Sequence, residues 1–264
     1  MFLVYDEDRK SKEQTKKNLY WNKEIKSAIK DDRIVIFFQP IYNNKTKKIE
    51  KYESLVRLLD RDNEVISPYF FLNIAKKYRL YDDITLIVVK KSFSYFYDKP
   101  YQFSINLSID DITNDDFVSF VIEEIKNFSE PERIIFEITE TEGIENFAAV
   151  QIFLEDIKKL GCKVAIDDFG TGYSNFEYLL KLEIDYLKVD GSLVKNSTKD
   201  STTKMVIETI LIFCQKLGIK TITEFVSDKK IFDMVNKLGA DYSQGYFIGM
   251  PQSTIQEIPL FEKM

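Results

Sequence analysis

Histidine is absent from the 264-residue chain. Its absence excludes a Ser-His-Asp triad, a Cys-His pair and any His-ligated zinc or iron centre. Proton transfer must therefore use Asp, Glu, Lys, Tyr or metal-bound water. Cysteine is nearly as scarce. Cys162 and Cys214 cannot make a zinc site alone, and each lies in an apolar run. They read as reduced core residues of a cytoplasmic protein. No apolar run approaches the ~18–20 residues of a membrane span. The opening stretch, Met1 to Glu7, is too short and too acidic for a signal peptide. An excess of positive charge is missing too. With 37 basic and 43 acidic residues the net charge is −6, which argues against a binder of duplex nucleic acid. A small phosphate ligand stays open, because a bound divalent cation inverts the local field. Glycine is limited to nine residues, yet Gly170 and Gly172 fall within three positions. That spacing marks a backbone demand.

What is present is ample core material. Hydrophobic residues make up 44% and aromatics 14%, a globular composition. The length suits one large domain, or a medium domain with an arm. Residues 6–18 are almost entirely polar or charged and read as a linker or exposed arm, followed by a short helix from Leu19 to about Lys30. The β-branched run 34–41 reads as a strand, the polar stretch 43–47 as a turn, and 49–59 as a second strand. So short a turn joins antiparallel neighbours.

Alternation follows. Helices are expected at 68–79, 82–97, 115–128, 146–160, 174–182, 201–217 and 228–238. Strands are expected at 101–107, 133–139, 162–168, 184–190, 219–224 and 241–247. Eight strands, six of them reached through helices, predict an α/β fold: a TIM-like eightfold β/α barrel with one antiparallel strand in the initial hairpin. A doubly wound open sheet is the structural alternative.

In such a barrel, ligands bind at the C-terminal ends of the strands. There the sequence places Glu53 and Arg57, Asn106, Glu137 and Glu140, Asp167 and Asp168, Lys188 and Asp190, Glu224, and Gln244. Taken singly, each has an ordinary explanation as a solvated end or a helix cap. As a ring shared by so many strands, bare carboxylates would repel one another. Divalent cations relieve that repulsion, and oxygen ligands without His or Cys point to magnesium, manganese or calcium. Two ions about 4 Å apart can bridge a phosphodiester and generate a hydroxide for in-line attack. Lys188 and Glu224 would orient or activate the water, and Arg57 would suit a phosphate oxygen.

These residues resemble the EAL-domain phosphodiesterases, which hydrolyse cyclic di-GMP. The matching pieces are Gln39-Pro40-Ile41, Glu53-Ser54-Leu55-Val56-Arg57 (Ser for the usual Ala), Asn106-Leu107-Ser108 and Glu137-Ile138-Thr139-Glu140. They continue with Asp167-Asp168-Phe169-Gly170-Thr171-Gly172, Lys188-Val189-Asp190, Glu224, Gln244-Gly245-Tyr246 and Pro251. The set spans about residues 20–252 in the family's order.

The resemblance implies that Glu53, Asn106, Glu137 and Asp167 ligate one ion, and that Asp168 ligates a second or the water between the two. It implies that Lys188 holds the nucleophilic water and that Glu224 acts as base or assists the metals. Gln39, Leu55, Arg57, Asp190 and Gln244 would bind the dinucleotide, and Glu140 would anchor the loop carrying Gly170, Thr171 and Gly172. The implied product is linear pGpG, with magnesium or manganese as cofactor. Calcium is expected to inhibit, because its coordination is looser. A homodimer in the cytoplasm follows on family grounds, with no membrane contact by this fragment; an anchor elsewhere in a parent protein is compatible.

Two departures stand out. After Glu224 the family usually continues Gly-Val-Glu, and this chain has Phe225-Val226-Ser227. They keep open a cyclic di-GMP receptor that does not hydrolyse. At the amino end, residues 2–7 look like the last strand of a GGDEF domain. Residues 1–18 are then a linker or the end of an upstream domain, and 19–264 the barrel domain.

Overall fold

The computed structural model describes residues 2–139, 147–170, 176–198 and 200–262. The described chain divides into two compact units, Met1–Ile36 with Val56–Lys91, and Phe37–Leu55 with Ser92–Met264.

Among the described residues nine strands form one sheet: β1 (Ile34–Asn43), β2 (Lys48–Leu59), β3 (Val65–Ile66), β4 (Gln102–Asn106), β5 (Ile134–Thr139), β6 (Lys163–Phe169), β7 (Tyr186–Val189), β8 (Lys220–Thr223) and β9 (Tyr242–Gln244). The order runs β1-β9-β8-β7-β6-β5-β4-β2-β3, and a β1–β2 pairing closes the ring. From β2 through β4 to β9 the strands run parallel. β1 runs antiparallel to β9. This is the expected barrel with one reversed strand. The sequence pattern did not foresee β3, whose two residues pair antiparallel with the end of β2.

The first unit opens with α1 (Phe2–Lys30), one helix of 29 residues. Residues 6–18, expected as a linker or arm, are therefore helical, and 2–7 are not a strand. The physical reason is propensity. The stretch is rich in Lys, Glu and Gln and has no Gly or Pro, so it favours helix without an apolar stripe to announce it. Gln14 Nε2 donates to Asn18 Oδ1 at 2.9 Å, one turn on. The buried Glu24 accepts from Arg33 at 2.7 Å. The helix expected over 68–79 is broken. A 3-10 turn (Pro68–Phe70) precedes α2 (Leu72–Lys77), and Arg79, at φ +56°, separates it from α3 (Tyr81–Phe96).

The second unit carries the barrel core. Ile41, Ile135, Ala165, Tyr186, Ile222 and Tyr242 form a buried cluster. Lys51 is buried with them; its ammonium sits 4.6 Å and 3.9 Å from the ring centres of Tyr186 and Tyr242 and donates to Gln102 Oε1 at 2.7 Å. The outer helices obey local rules. The helix α9 (Ser201–Leu217, following α4 Ile109–Ile112, α5 Asp115–Asn127, α6 Phe147–Lys159, α7 Phe176–Lys181 and α8 Gly191–Asn196) starts where Asp200 caps the amides of Thr202 and Thr203. It stops at Gly218, in the left-handed region.

Candidate active site

Strand geometry decides which side chains meet. Alternate residues of a strand share a face, so Lys51, Glu53 and Leu55 project from the same side of β2. Register then sets neighbours side by side: Asn106 opposite Glu137, and Thr139 opposite Asp167. The inward residues near the strand ends are acids, amides and one ammonium.

Lys188 sits at their centre. It is wholly buried, and its Nζ lies 2.7 Å from Glu137, 3.0 Å from Asp167, 3.0 Å from Glu224 and 3.6 Å from Glu53. Burial opposes its charge, but the carboxylates of Asp167, Glu137, Glu224 and Glu53 hold its amine well above the ordinary lysine value. One ammonium cannot balance four acids. Burial, aided by neighbouring acids, pushes Glu137 and Glu224 up to about 8 against the pull of Lys188. Glu53 goes the other way. Burial works against its charge, yet Lys188 and donated hydrogen bonds keep its carboxyl below the usual range. Those bonds come from Gln244 Nε2 at 2.6 Å and Asn106 Nδ2 at 2.8 Å.

Asp167 and Asp168 are adjacent, and regular alternation would send them to opposite faces. The structure breaks the alternation. The β6–β7 register shifts between Ile166 and Phe169, and Asp168 takes φ +56°. The bulge re-aims the second carboxylate. As a result Asp167, Asp168 and Glu224 form one cluster of oxygens within 4.8 Å, while Glu53, Glu137 and Asp167 form another. Partial burial and the charges of Asp167 and Asp190 push the Asp168 carboxyl up. Gly170 meets the backbone demand foreseen from its scarcity: φ is +104°, and a Cβ there would collide with Leu193.

A cavity of about 580 Å³ opens beside these acids. Gln39, Glu53, Leu55, Asp190, Glu224 and Gln244 line it. Gln244 Nε2 also approaches Gln39 Oε1 at 3.3 Å. Asp190 doubles as the cap of α8, accepting from the Ser192 amide at 2.8 Å. Arg57 is placed otherwise. It lies on the part of β2 that belongs to the first unit, where its Nη1 donates to the Val56 carbonyl at 2.8 Å. It is not among the residues lining this cavity. Glu140, Thr171 and Gly172 lie outside the described residues.

Sequence reasoning did not assign to the cavity wall several residues that line it, among them Ser192, Lys195, Phe225 and Tyr246. Phe225 and Tyr246 stood in the sequence only as a departure and a motif member. Ser192 and Lys195 lie two and five positions after Asp190, on the short helix that leaves the end of β7, and that helix was the available signal. Phe225 holds φ +56°, a left-handed conformation that costs a bulky residue roughly 1–3 kcal/mol.

The donor set fits divalent cations. It is all oxygen, without His or Cys, and suits a hard ion. Buried Glu137 Oε1 has no hydrogen-bond partner among the described residues, so one acceptor lone pair set is open to a ligand.

The EAL domain family matches residues 22–251. The chain is similar to the cyclic di-GMP phosphodiesterase PdeB of Shewanella oneidensis, 30% identical over 98% of this chain and 31% of that protein. It is also similar to the cyclic di-GMP phosphodiesterase PdeA of Borreliella burgdorferi, 32% identical over 86% of this chain and 35% of that protein. The chain thus spans about a third of the length of the curated relatives it matches. In fold it is similar to the FimX EAL domain from Pseudomonas aeruginosa bound to c-di-GMP: the TM-score is 0.85 at 22% identity, covering 90% of this chain and 98% of that one.

Proposed function

The chain belongs to the EAL domain family, and on that premise we propose that it hydrolyses cyclic di-GMP to linear pGpG with the help of divalent cations. The observation that carries this reading is the acid set around Lys188, four carboxylates within 3.6 Å of one buried ammonium. A barrel serving only as a scaffold would be as stable, or more so, with apolar residues there.

Glu53, Asn106, Glu137 and Asp167 would hold one magnesium or manganese ion. Asp168 would hold a second, or the water between the two. Bound there, the cations supply Lewis-acid stabilisation of phosphodiester oxygens and acidify water. Lys188 orients the attacking water through its ammonium hydrogens and balances the acids around it. Glu224, between Lys188 and the cavity, takes up the proton that the water releases, or assists in holding the cations. Gln39 and Gln244 offer amides to the dinucleotide, Leu55 an apolar contact and Asp190 a carboxylate. Arg57 would grip a phosphate oxygen, and Glu140 would anchor the loop of Gly170, Thr171 and Gly172.

Residues 19–264 form the catalytic domain in this reading, with 1–18 as its connector. The domain acts in the cytoplasm as a homodimer, and calcium inhibits it. Among the described residues, no helix is long and apolar enough to cross a membrane.

The test is product analysis. The purified chain is incubated with cyclic di-GMP and magnesium or manganese, and the nucleotides are separated by chromatography. Metal-dependent pGpG is expected, and it should vanish in Glu53→Ala and Asp167→Ala. Intact nucleotide that stays bound to the protein would replace hydrolysis by the receptor reading that Phe225 and Ser227 favour.

A further inference from the structure

We infer that Phe225 is a stacking platform for one nucleobase of the bound dinucleotide, with the neighbouring Lys195 placed to meet its phosphate. The inference rests on reading the cavity as a cyclic dinucleotide site, and it adds a contact to that reading.

Phe225 is an expensive residue where it stands. Its backbone holds φ +56°, where glycine is at ease and a bulky side chain is not. Its side chain is also left 54% exposed, so folding gains little from its burial. Stability alone would select glycine at this position on both counts. Yet the surrounding chain is shaped to seat the ring. A Cβ on Gly191 would come within 2.7 Å of Phe225 Cβ and 3.1 Å of the ring carbons Cγ and Cδ2. Gly191 is at an ordinary helical position without a positive φ, so its bareness answers a steric need and not a conformational one. The ring therefore rests on the start of α8 while lining the cavity.

The neighbourhood identifies the ligand class. An exposed aromatic face attracts another planar π-system, and base–aromatic stacking tolerates any nucleobase. The exposed Lys195 holds its ammonium 5.5 Å from the centre of the Phe225 ring. A lysine acts as a point charge toward phosphate. A π-face with a cation at its side complements a planar base carrying an anionic phosphate. Asp190 and Ser192 line the same wall and offer polar groups to the edge of the base.

The test measures binding, so that it does not depend on turnover. The full chain is titrated by calorimetry, in magnesium, with a hydrolysis-resistant phosphorothioate analogue of cyclic di-GMP. Phe225→Ala and Phe225→Gly should raise Kd about 5- to 150-fold, the fold-change equivalent to ~1–3 kcal/mol of base stacking. Phe225→Trp should keep the affinity. The glycine variant relieves the backbone and so remains informative if the alanine variant folds poorly. A second probe carries 2-aminopurine in place of guanine. Its fluorescence should be quenched by the wild type and not by Phe225→Leu, which keeps apolar bulk without a π-face. Equal Kd for wild type and Phe225→Gly would overturn the platform and leave the dinucleotide reading standing. No binding by the wild type would overturn both.

Discussion

Lys188→Met is the most informative perturbation of the acid cluster. The ammonium lies 2.7–3.6 Å from four carboxylates, and methionine fills similar volume without charge. Removing one partner of a buried ionic set costs about 3–5 kcal/mol, because the charges left behind are uncompensated. The protein can limit that cost by taking up a further proton. A carboxyl that ionises at 4.5 in the unfolded chain costs about 3.4 kcal/mol to protonate at pH 7, and only about 0.7 kcal/mol at pH 5. The two figures agree at neutral pH and part company in acid. The metal-free variant should therefore lose about 3–5 kcal/mol at pH 7, roughly 6–20 °C in Tm, and less than about 1 kcal/mol at pH 5. Saturating magnesium should restore much of the neutral-pH loss, since the cation replaces the missing positive charge. Thermal melts of wild type and variant in chelator and in magnesium, at both pH values, read all of this directly. A loss that is the same at pH 5 and pH 7 would refute the reasoning, because the deficit would then be one of packing and not of charge.

Two other predictions concern protons held by the fold. In the metal-free protein Glu137 and Glu224 keep their protons up to about pH 8, whereas the unfolded chain releases them near 4.5. The native state then binds more protons across that window, so their contribution to stability is full below about pH 4.5 and is lost as pH rises to about 8. Urea melts across the window should show this decline in chelator and a flatter profile in magnesium. A rising profile in chelator would contradict it. Lys51 behaves in the opposite sense. Burial lowers its amine from 10.5 to about 7, against the pull of Glu50 and Asp241 and with help from Lys163 and Lys220. The unfolded chain binds the extra proton between about pH 7 and 10.5, so stability rises with pH there, and the penalty is complete below about 7. Lys51→Met should stabilise the protein by about 1–4 kcal/mol at pH 7 and abolish the rise. A less stable variant at pH 7 would mean that the Tyr186 and Tyr242 rings hold the ammonium better than burial opposes it.

The barrel was legible because its strands are apolar, β-branched runs separated by helix-length segments. Each strand end carried a polar residue beside such a run, so Glu53, Asn106, Glu137, Asp167, Lys188, Glu224 and Gln244 could be assigned to one rim from position alone. What stayed hidden lacked periodicity. The first half of α1 has helix-favouring residues but no apolar stripe, and β3 has too few residues to show a pattern. The positive φ angles at Asp168 and Phe225 fall on residue types that do not advertise them. Arg57 sits in the same strand signature as Glu53, but on the part of β2 that falls in the first unit.

The bulge in β6 has a consequence for distance. Neighbouring α-carbons across a trans peptide are 3.8 Å apart, and there are no cis peptides among the described residues. With Asp167 and Asp168 turned toward one side, two residues joined by a single peptide bond bring carboxylate oxygens within 4.8 Å of each other and of Glu224. Loops around the barrel can lengthen, shorten or exchange without separating that pair, because the two residues are covalently adjacent. Deleting one residue between Ile166 and Phe169 would remove the pair while leaving every acid in the sequence but one.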